Sequence, residues 1–143
     1  MARLYVVAFD ARLPRWALEA RAEYLERLPR GFEVQCLSLK AEPLKRLRAR
    51  LPQGARLVAL DERGRDLTTL EFARQLDAWR RAGDPVAFLV GGADGLDAEF
   101  KRSAQLLLRL SALTLPHALA QVLLCEQLYR SAALAAGHPY HRA

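Results

Sequence analysis

The chain lacks the residues that several common kinds of site require. It has only two cysteines, Cys36 and Cys125, which lie far apart in the sequence and within apolar runs. Such sparse use excludes a disulfide framework and a cysteine-rich metal site, and it predicts two reduced thiols in the core. No cluster of acids or cysteines accompanies the three histidines, so we predict no metal.

Long uninterrupted apolar segments are also missing. The apolar stretch at the N-terminus is too short for a secretory signal. The apolar segment 118–136 is interrupted by Gln121, Glu126, Gln127 and Arg130. These features argue against a membrane span and predict a cytoplasmic protein.

Lysine is scarce, but basic residues as a whole are not. The chain has 22 basic and 16 acidic residues, and its formal net charge is +6. This excess predicts a polyanionic partner such as a nucleic acid. A GC-rich genome that encodes arginine in place of lysine is the alternative explanation. The length of 143 residues predicts a single domain over residues 1–143.

Strand-like and helix-like segments alternate along the chain. The predicted strands are residues 3–9, 32–39, 55–60, 85–90 and 106–113, and the predicted helices are residues 14–28, 44–51, 69–81, 96–104 and 116–136. We expect Thr68 or Thr69 to cap the third helix, Gly83 to end it, and residues 61–66 to form a polar turn. The pattern is typical of an α/β fold with a mainly parallel sheet flanked by helices.

Three loops follow predicted strands, at the sheet edge where α/β folds bind ligands. They contain Leu60 and Asp61, then Gly91 and Gly92, then residues 111–117. The glycines permit close approach of backbone to a ligand, but the loop matches neither the dinucleotide-binding nor the phosphate-loop pattern. A structural turn and a ligand-binding loop both remain open for it.

The segment SALTLPH, residues 111–117, contains no acid, lysine or arginine. Its backbone groups, between Leu113 and Leu115, suit the edge of a flat neutral group such as adenine. A phosphate group would need a basic residue here. Pro116 suits a first helical turn, which Ser111 or Thr114 could cap. An ordinary strand-to-helix turn is the alternative.

The C-terminal part of the chain raises two further expectations. The last helix is apolar on almost every face, which predicts burial and favours a subunit interface. The tail HPYHR places His138, Tyr140, His141 and Arg142 close together. It is either a frayed terminus or a segment that folds over a site.

Together, LVGGADGL, SALTLPHALAQVLLCEQLYR and HPYHR resemble the RlmH family of SPOUT-superfamily methyltransferases, and the likeness extends over the whole chain. The loop of that family more often has Pro and Glu where this chain has Ala93 and Asp94. Ala118 and Gly137 also depart from the family pattern, and the connection 41–53 is shortened.

The resemblance implies an α/β fold with a C-terminal trefoil knot, a homodimer formed through the knotted region, and S-adenosylmethionine as cofactor. It also implies methylation of N3 of a pseudouridine in 23S ribosomal RNA, within the assembled 70S ribosome. The cofactor-binding residues that it implies are Leu60, Asp61, Gly91, Gly92, Ser111, Ala112, Leu113, Thr114, Leu115 and Pro116.

Methylation at N3 requires loss of the imide proton, so a base or a deprotonated substrate is needed. His117 and His141 are the candidate bases. Tyr140 could orient the substrate base, and Arg142 could bind RNA phosphate or stabilise a developing enolate-like oxygen.

Two other functions remain open at this point. One is a non-catalytic RNA-binding or ribosome-assembly factor on the same fold. The other is a nucleotide-binding flavodoxin-like module.

Overall fold

The computed structural model describes residues 2–92 and 94–138, and in this part of the chain strands and helices alternate as predicted. The strands are β1 (Ala2–Phe9), β2 (Phe32–Leu39), β3 (Arg56–Asp66), β4 (Val86–Val90) and β5 (Leu106–Arg109). The helices are α1 (Arg15–Leu25), α2 (Leu44–Arg50), α3 (Thr69–Arg81), α4 (Ala98–Ser103) and α5 (His117–Ala135).

The five strands form one parallel sheet in the order β2-β1-β4-β3-β5. This result confirms the predicted parallel sheet. Flavodoxin-like folds have the order 2-1-3-4-5, in which the third strand lies beside the first. Here β4 lies beside β1 instead. The flavodoxin-like alternative is therefore wrong.

Different helices cover the two faces of the sheet. In β4, Val86, Phe88 and Val90 belong to a core shared with α3 and α5. Ala87 and Leu89 belong to a second core, shared with α2 and α4. Burial on both faces explains why the central strands are apolar without alternation.

Helix α3 has the termini that the sequence predicts. The Thr68 hydroxyl accepts a hydrogen bond from the Glu71 amide (3.1 Å), and the Glu71 carboxylate accepts one from the Thr68 amide (2.8 Å). Gly83 follows the helix with φ +79° and its amide donates to the Arg80 carbonyl. This reciprocal cap and the left-handed glycine fix both ends of the helix.

The predicted polar turn at residues 61–66 is wrong, because β3 continues to Asp66. After an irregularity between Leu60 and Arg65, this extension pairs again with β5. Gly64 permits the pairing, since a Cβ there would lie 2.7 Å from the Leu107 backbone. Arg109 of β5 forms a two-point ion pair with Asp66 at the end of the extension.

Several predicted boundaries are also corrected. Helix α1 begins after Pro14 and ends at Leu25 rather than at residue 28. Strand β5 ends at Arg109 rather than at residue 113. Helix α4 begins at Ala98, because the preceding Leu96 is buried in the core beneath the sheet instead of opening the helix.

Helix α5 packs against both α1 and α3. Pro116 in extended conformation precedes it and no side chain caps it, so the predicted caps Ser111 and Thr114 are wrong. In the single chain Leu123 of α5 is 36% exposed, so burial of the remaining apolar face of this helix in a subunit interface stays a prediction. Among the described residues, no helix is long and apolar enough to cross a bilayer.

Candidate active site

A cleft of about 430 Å³ lies at the carboxyl ends of β3, β4 and β5. This volume is within the range of small-molecule sites, about 300–1,000 Å³. Nine of the predicted cofactor-binding residues line the cleft: Leu60, Asp61, Gly91, Gly92, Ser111, Leu113, Thr114, Leu115 and Pro116. Ala112 is not part of the lining. The structure thus brings the three predicted loops together around one cleft.

The glycine loop after β4 folds tightly on itself. A Cβ at Gly91 would lie 2.4 Å from the Gly95 carbonyl carbon, and one at Gly92 would lie 3.0 Å from the Phe9 oxygen. The Gly95 amide donates to the Gly92 carbonyl at 3.0 Å. Glycine is therefore needed for packing within the protein, and the structural-turn interpretation holds. The same turn also forms one wall of the cleft.

The opposite wall is the uncharged loop after β5. The Ser111 hydroxyl accepts a hydrogen bond from the Leu113 amide at 2.9 Å, which closes a small turn. Leu113 is 77% exposed, although it lines the cleft. A large apolar side chain at the rim of a cleft is a ready contact for a bound apolar group.

The charged side chains of the cleft are largely compensated. Lys101 lies 3.5 Å from the carboxylate of Asp61, whose side chain is only 10% exposed. The hydrogen bonds between Arg109 and Asp66 lower the pKa of Asp66 and raise that of Arg109. Arg109 is the sole basic residue other than His117 among the described residues that line the cleft, and it is paired. Among the described residues, the lining of the cleft therefore has no unpaired lysine or arginine that could bind a polyphosphate.

His117 is the first residue of α5 and lines the cleft. Its Nε2 is buried and has no hydrogen-bond partner within the described part of the chain. A buried ring nitrogen in this position can exchange a proton with a group that enters the cleft. The other candidate catalytic residues, Tyr140, His141 and Arg142, lie outside the described residues.

The sequence did not reveal the whole lining of the cleft. The additional residues are Glu62, Val90, Gly95, Leu108, Arg109, Leu110 and Ala120. Glu62 and Arg109 were missed because residues 61–66 were interpreted as a turn and β5 was extended too far. The remaining residues are apolar or glycine at strand and helix ends, where nothing in the sequence distinguishes cleft from core.

Comparison with known proteins shows to which family this chain belongs. A family described as "Predicted SPOUT methyltransferase" matches residues 2–141. The chain belongs to the SPOUT methyltransferase family. The resemblance seen in the sequence is thereby confirmed, and a C-terminal trefoil knot is characteristic of this SPOUT family.

Relatives and solved structures agree with this assignment. A protein from Bordetella avium is 48% identical over 155 residues, with 99% of both chains covered. One from Dechloromonas aromatica is 47% identical over 153 residues, with 98% of both covered. Each is named "Ribosomal RNA large subunit methyltransferase H".

Two structures share the SPOUT fold at low sequence identity. A probable methyltransferase from Bordetella pertussis Tohama I has a TM-score of 0.64 at 14% identity and covers 92% of this chain and 95% of its own. A probable methylase family protein from Haemophilus influenzae has a TM-score of 0.67 at 11% identity and covers 97% and 70%. These two likenesses support the fold alone.

Proposed function

We propose that this SPOUT methyltransferase uses S-adenosylmethionine to methylate N3 of a pseudouridine in 23S ribosomal RNA of the assembled ribosome. The observation that carries the proposal is the near-neutral cleft formed by the three loops, whose lining includes His117, a residue with a buried Nε2 that has no partner among the described residues. Relatives that match almost the whole chain are named as large-subunit ribosomal RNA methyltransferases.

The residues of the cleft fit S-adenosylmethionine better than a nucleoside polyphosphate. This cofactor has a flat neutral adenine and no phosphate, and it has a net positive charge. The uncharged loop 111–116 and Leu60 suit the adenine, while the exposed Glu62 suits positive charge. When bound, S-adenosylmethionine supplies a methyl group on a sulfonium sulfur.

The chain itself must place the target nitrogen in line and remove its proton. We assign proton removal to Nε2 of His117, which has no partner among the described residues. Tyr140, His141 and Arg142 are proposed to complete the RNA side of the cleft. His117→Ala should lower kcat by about a hundredfold or more. The affinity for S-adenosylmethionine should stay within a few fold.

We further propose a homodimer formed through α1 and α5. Trp16 on α1 is 53% exposed, and Leu123 on the adjacent α5 is 36% exposed. Large apolar side chains on neighbouring helices are typical of an interface. Sedimentation should show a dimer that Leu123→Asp weakens. The matched control is Leu70→Asp, on α3, which should have no effect.

The proposed ribosomal substrate also implies that the protein acts in the cytoplasm. The decisive experiment is transfer of labelled methyl from S-adenosylmethionine to 70S ribosomes, with the modified base identified by mass spectrometry. The proposal expects label at N3 of a pseudouridine in 23S RNA. Tight binding to ribosomes without any methyl transfer would favour the non-catalytic assembly factor instead.

A further inference from the structure

A second cavity, of about 270 Å³, lies at the carboxyl ends of β1 and β2, beneath α1 and α5. Its lining includes the polar side chains Arg12, Arg21, Ser38 and Gln121 together with Cys36. The cofactor cleft lies at the same edge of the sheet, and the first turns of α5 separate the two. His117 and Ala120 line the cleft, whereas Gln121 lines this second cavity.

Gln121 is the most informative residue of the second cavity. It is 0% exposed, and its Oε1 accepts a hydrogen bond from Nη1 of Arg21 at 3.1 Å. This bond fixes the amide orientation and leaves Nε2 as a buried donor with no partner in the described structure. Buried donors without partners are rare and costly, so Nε2 is suited to an acceptor that enters the cavity.

The charges around the cavity specify what kind of acceptor fits. Within residues 2–92 and 94–138, neither Arg12 nor Arg21 forms an ion pair with a carboxylate. Asp10, the carboxylate nearest to Arg12 in sequence, accepts a hydrogen bond from the Ala41 amide instead. Two guanidinium groups and a buried amide donor are the recognition set for an anion with several oxygens.

We propose that the second cavity binds a backbone phosphate of the ribosomal RNA substrate through Arg12, Arg21 and Gln121. The RNA source of the phosphate rests on the proposed function, whereas anion binding by the cavity does not. Phosphate contacts fix the register of a nucleic acid on a protein. A phosphate held here would position the strand so that a neighbouring base reaches the cleft beside His117.

The test compares Arg21→Gln with Arg48→Gln, a matched change on α2 at the opposite face of the sheet. The affinity for 70S ribosomes, the proposed substrate, is measured at several salt concentrations. Loss of one phosphate contact should reduce the slope of log affinity against log salt by about one and weaken binding by about tenfold. Arg48→Gln should leave the slope unchanged, and both variants should bind S-adenosylmethionine like the wild type and sediment like it.

Gln121→Leu separates a binding role from a structural one. Leucine has a similar size and removes the unpartnered donor together with the acceptor of the Arg21 bond, so the two effects oppose each other and the denaturant midpoint should change little while RNA affinity falls. A stable variant with unchanged RNA affinity would overturn the proposal. Calorimetry with inorganic phosphate tests the other source of the anion. If free phosphate binds but Arg21→Gln leaves the salt slope unchanged, the assignment to RNA is wrong.

The outcomes also separate this inference from the proposed function. If the wild type neither binds S-adenosylmethionine nor methylates ribosomes but the salt slope still depends on Arg21, the methyltransferase proposal fails and the phosphate site stands. A structure with RNA bound in which the cavity holds only water would overturn the phosphate site alone.

Discussion

The cleft and the second cavity share one edge of the sheet but differ in chemistry. The cleft, at the ends of β3, β4 and β5, has an uncharged loop and a compensated Arg109. The cavity, at the ends of β1 and β2, has Arg12 and Arg21 without carboxylate partners in the described part of the chain. A neutral ligand group therefore suits the first and an anionic group the second.

The strand order and α5 together produce this difference. β4 pairs with β1, and Gly92 after β4 packs against the end of β1 at Phe9, so the two sites lie side by side along one edge of the sheet. His117 and Gln121 are one helical turn apart at the start of α5, yet they face different sites. The proposed cofactor and the proposed RNA phosphate would thus bind side by side at one sheet edge without mixing their charges.

The largest expected effect is that of Gly91→Ala on the cleft. The added Cβ would lie 2.4 Å from the Gly95 backbone, so the loop must move. Such overpacking costs about 1–3 kcal/mol and should weaken S-adenosylmethionine binding by about tenfold to a hundredfold. Gly92→Ala, with a 3.0 Å contact, should have a smaller effect. Calorimetry measures both, and phosphate binding in the second cavity should persist.

The second effect concerns Cys36 in the cavity. A hydrogen bond from Cys125 and the charge of Arg21 lower the pKa of Cys36 to about 7, while burial opposes the shift. Because the thiolate reacts, alkylation by iodoacetamide should rise with pH and be half-maximal near pH 7. Cys125 should stay unreactive, since the same hydrogen bond and burial raise its pKa.

The two proposed ligands should have different effects on the alkylation of Cys36, because only one of the two sites contains this residue. Inorganic phosphate at Arg21 should move the midpoint of alkylation upwards, because a nearby anion disfavours the thiolate. S-adenosylmethionine in the cleft should leave the midpoint unchanged. Equal shifts with both ligands would show that the sites are not separate, and Cys36→Ser controls for reaction at other residues.

A smaller effect is expected for the charge of Glu62 at the cleft. Within the described structure no basic residue forms an ion pair with it. Glu62→Lys should weaken binding of the positively charged S-adenosylmethionine by about fivefold at low salt. The matched control is Glu99→Lys on α4, outside the lining, which should bind normally. Equal weakening in both variants would point to net charge rather than to the cleft.

The smallest expected effect is on the stability of the fold, through the cap of α3. Thr68→Ala removes the hydroxyl that caps α3 and should lower the free energy of unfolding by about 1 kcal/mol. Thr68→Ser, which keeps the hydroxyl, should remain within a few tenths of a kcal/mol. Neither ligand should lose affinity, since α3 lines neither site. Urea unfolding and calorimetry give both quantities.

The sequence predicted the part of the site that depends on strand ends. Leu60, Gly91 and loop 111–116 follow apolar runs, and parallel strands bring such ends to one edge. The sequence did not predict the strand order, because local patterns do not encode which distant strands pair, such as β4 with β1. The second cavity was missed for the same reason, since Arg21 and Gln121 meet across 100 positions.

Calorimetry of S-adenosylmethionine binding to the full chain, beside ADP as a phosphate-bearing adenine nucleotide, tests whether the cleft is a site for S-adenosylmethionine. The account predicts that one S-adenosylmethionine binds per chain, that Gly91→Ala weakens this binding, and that ADP does not compete for the cleft. Binding of ADP in the cleft with no binding of S-adenosylmethionine would contradict it.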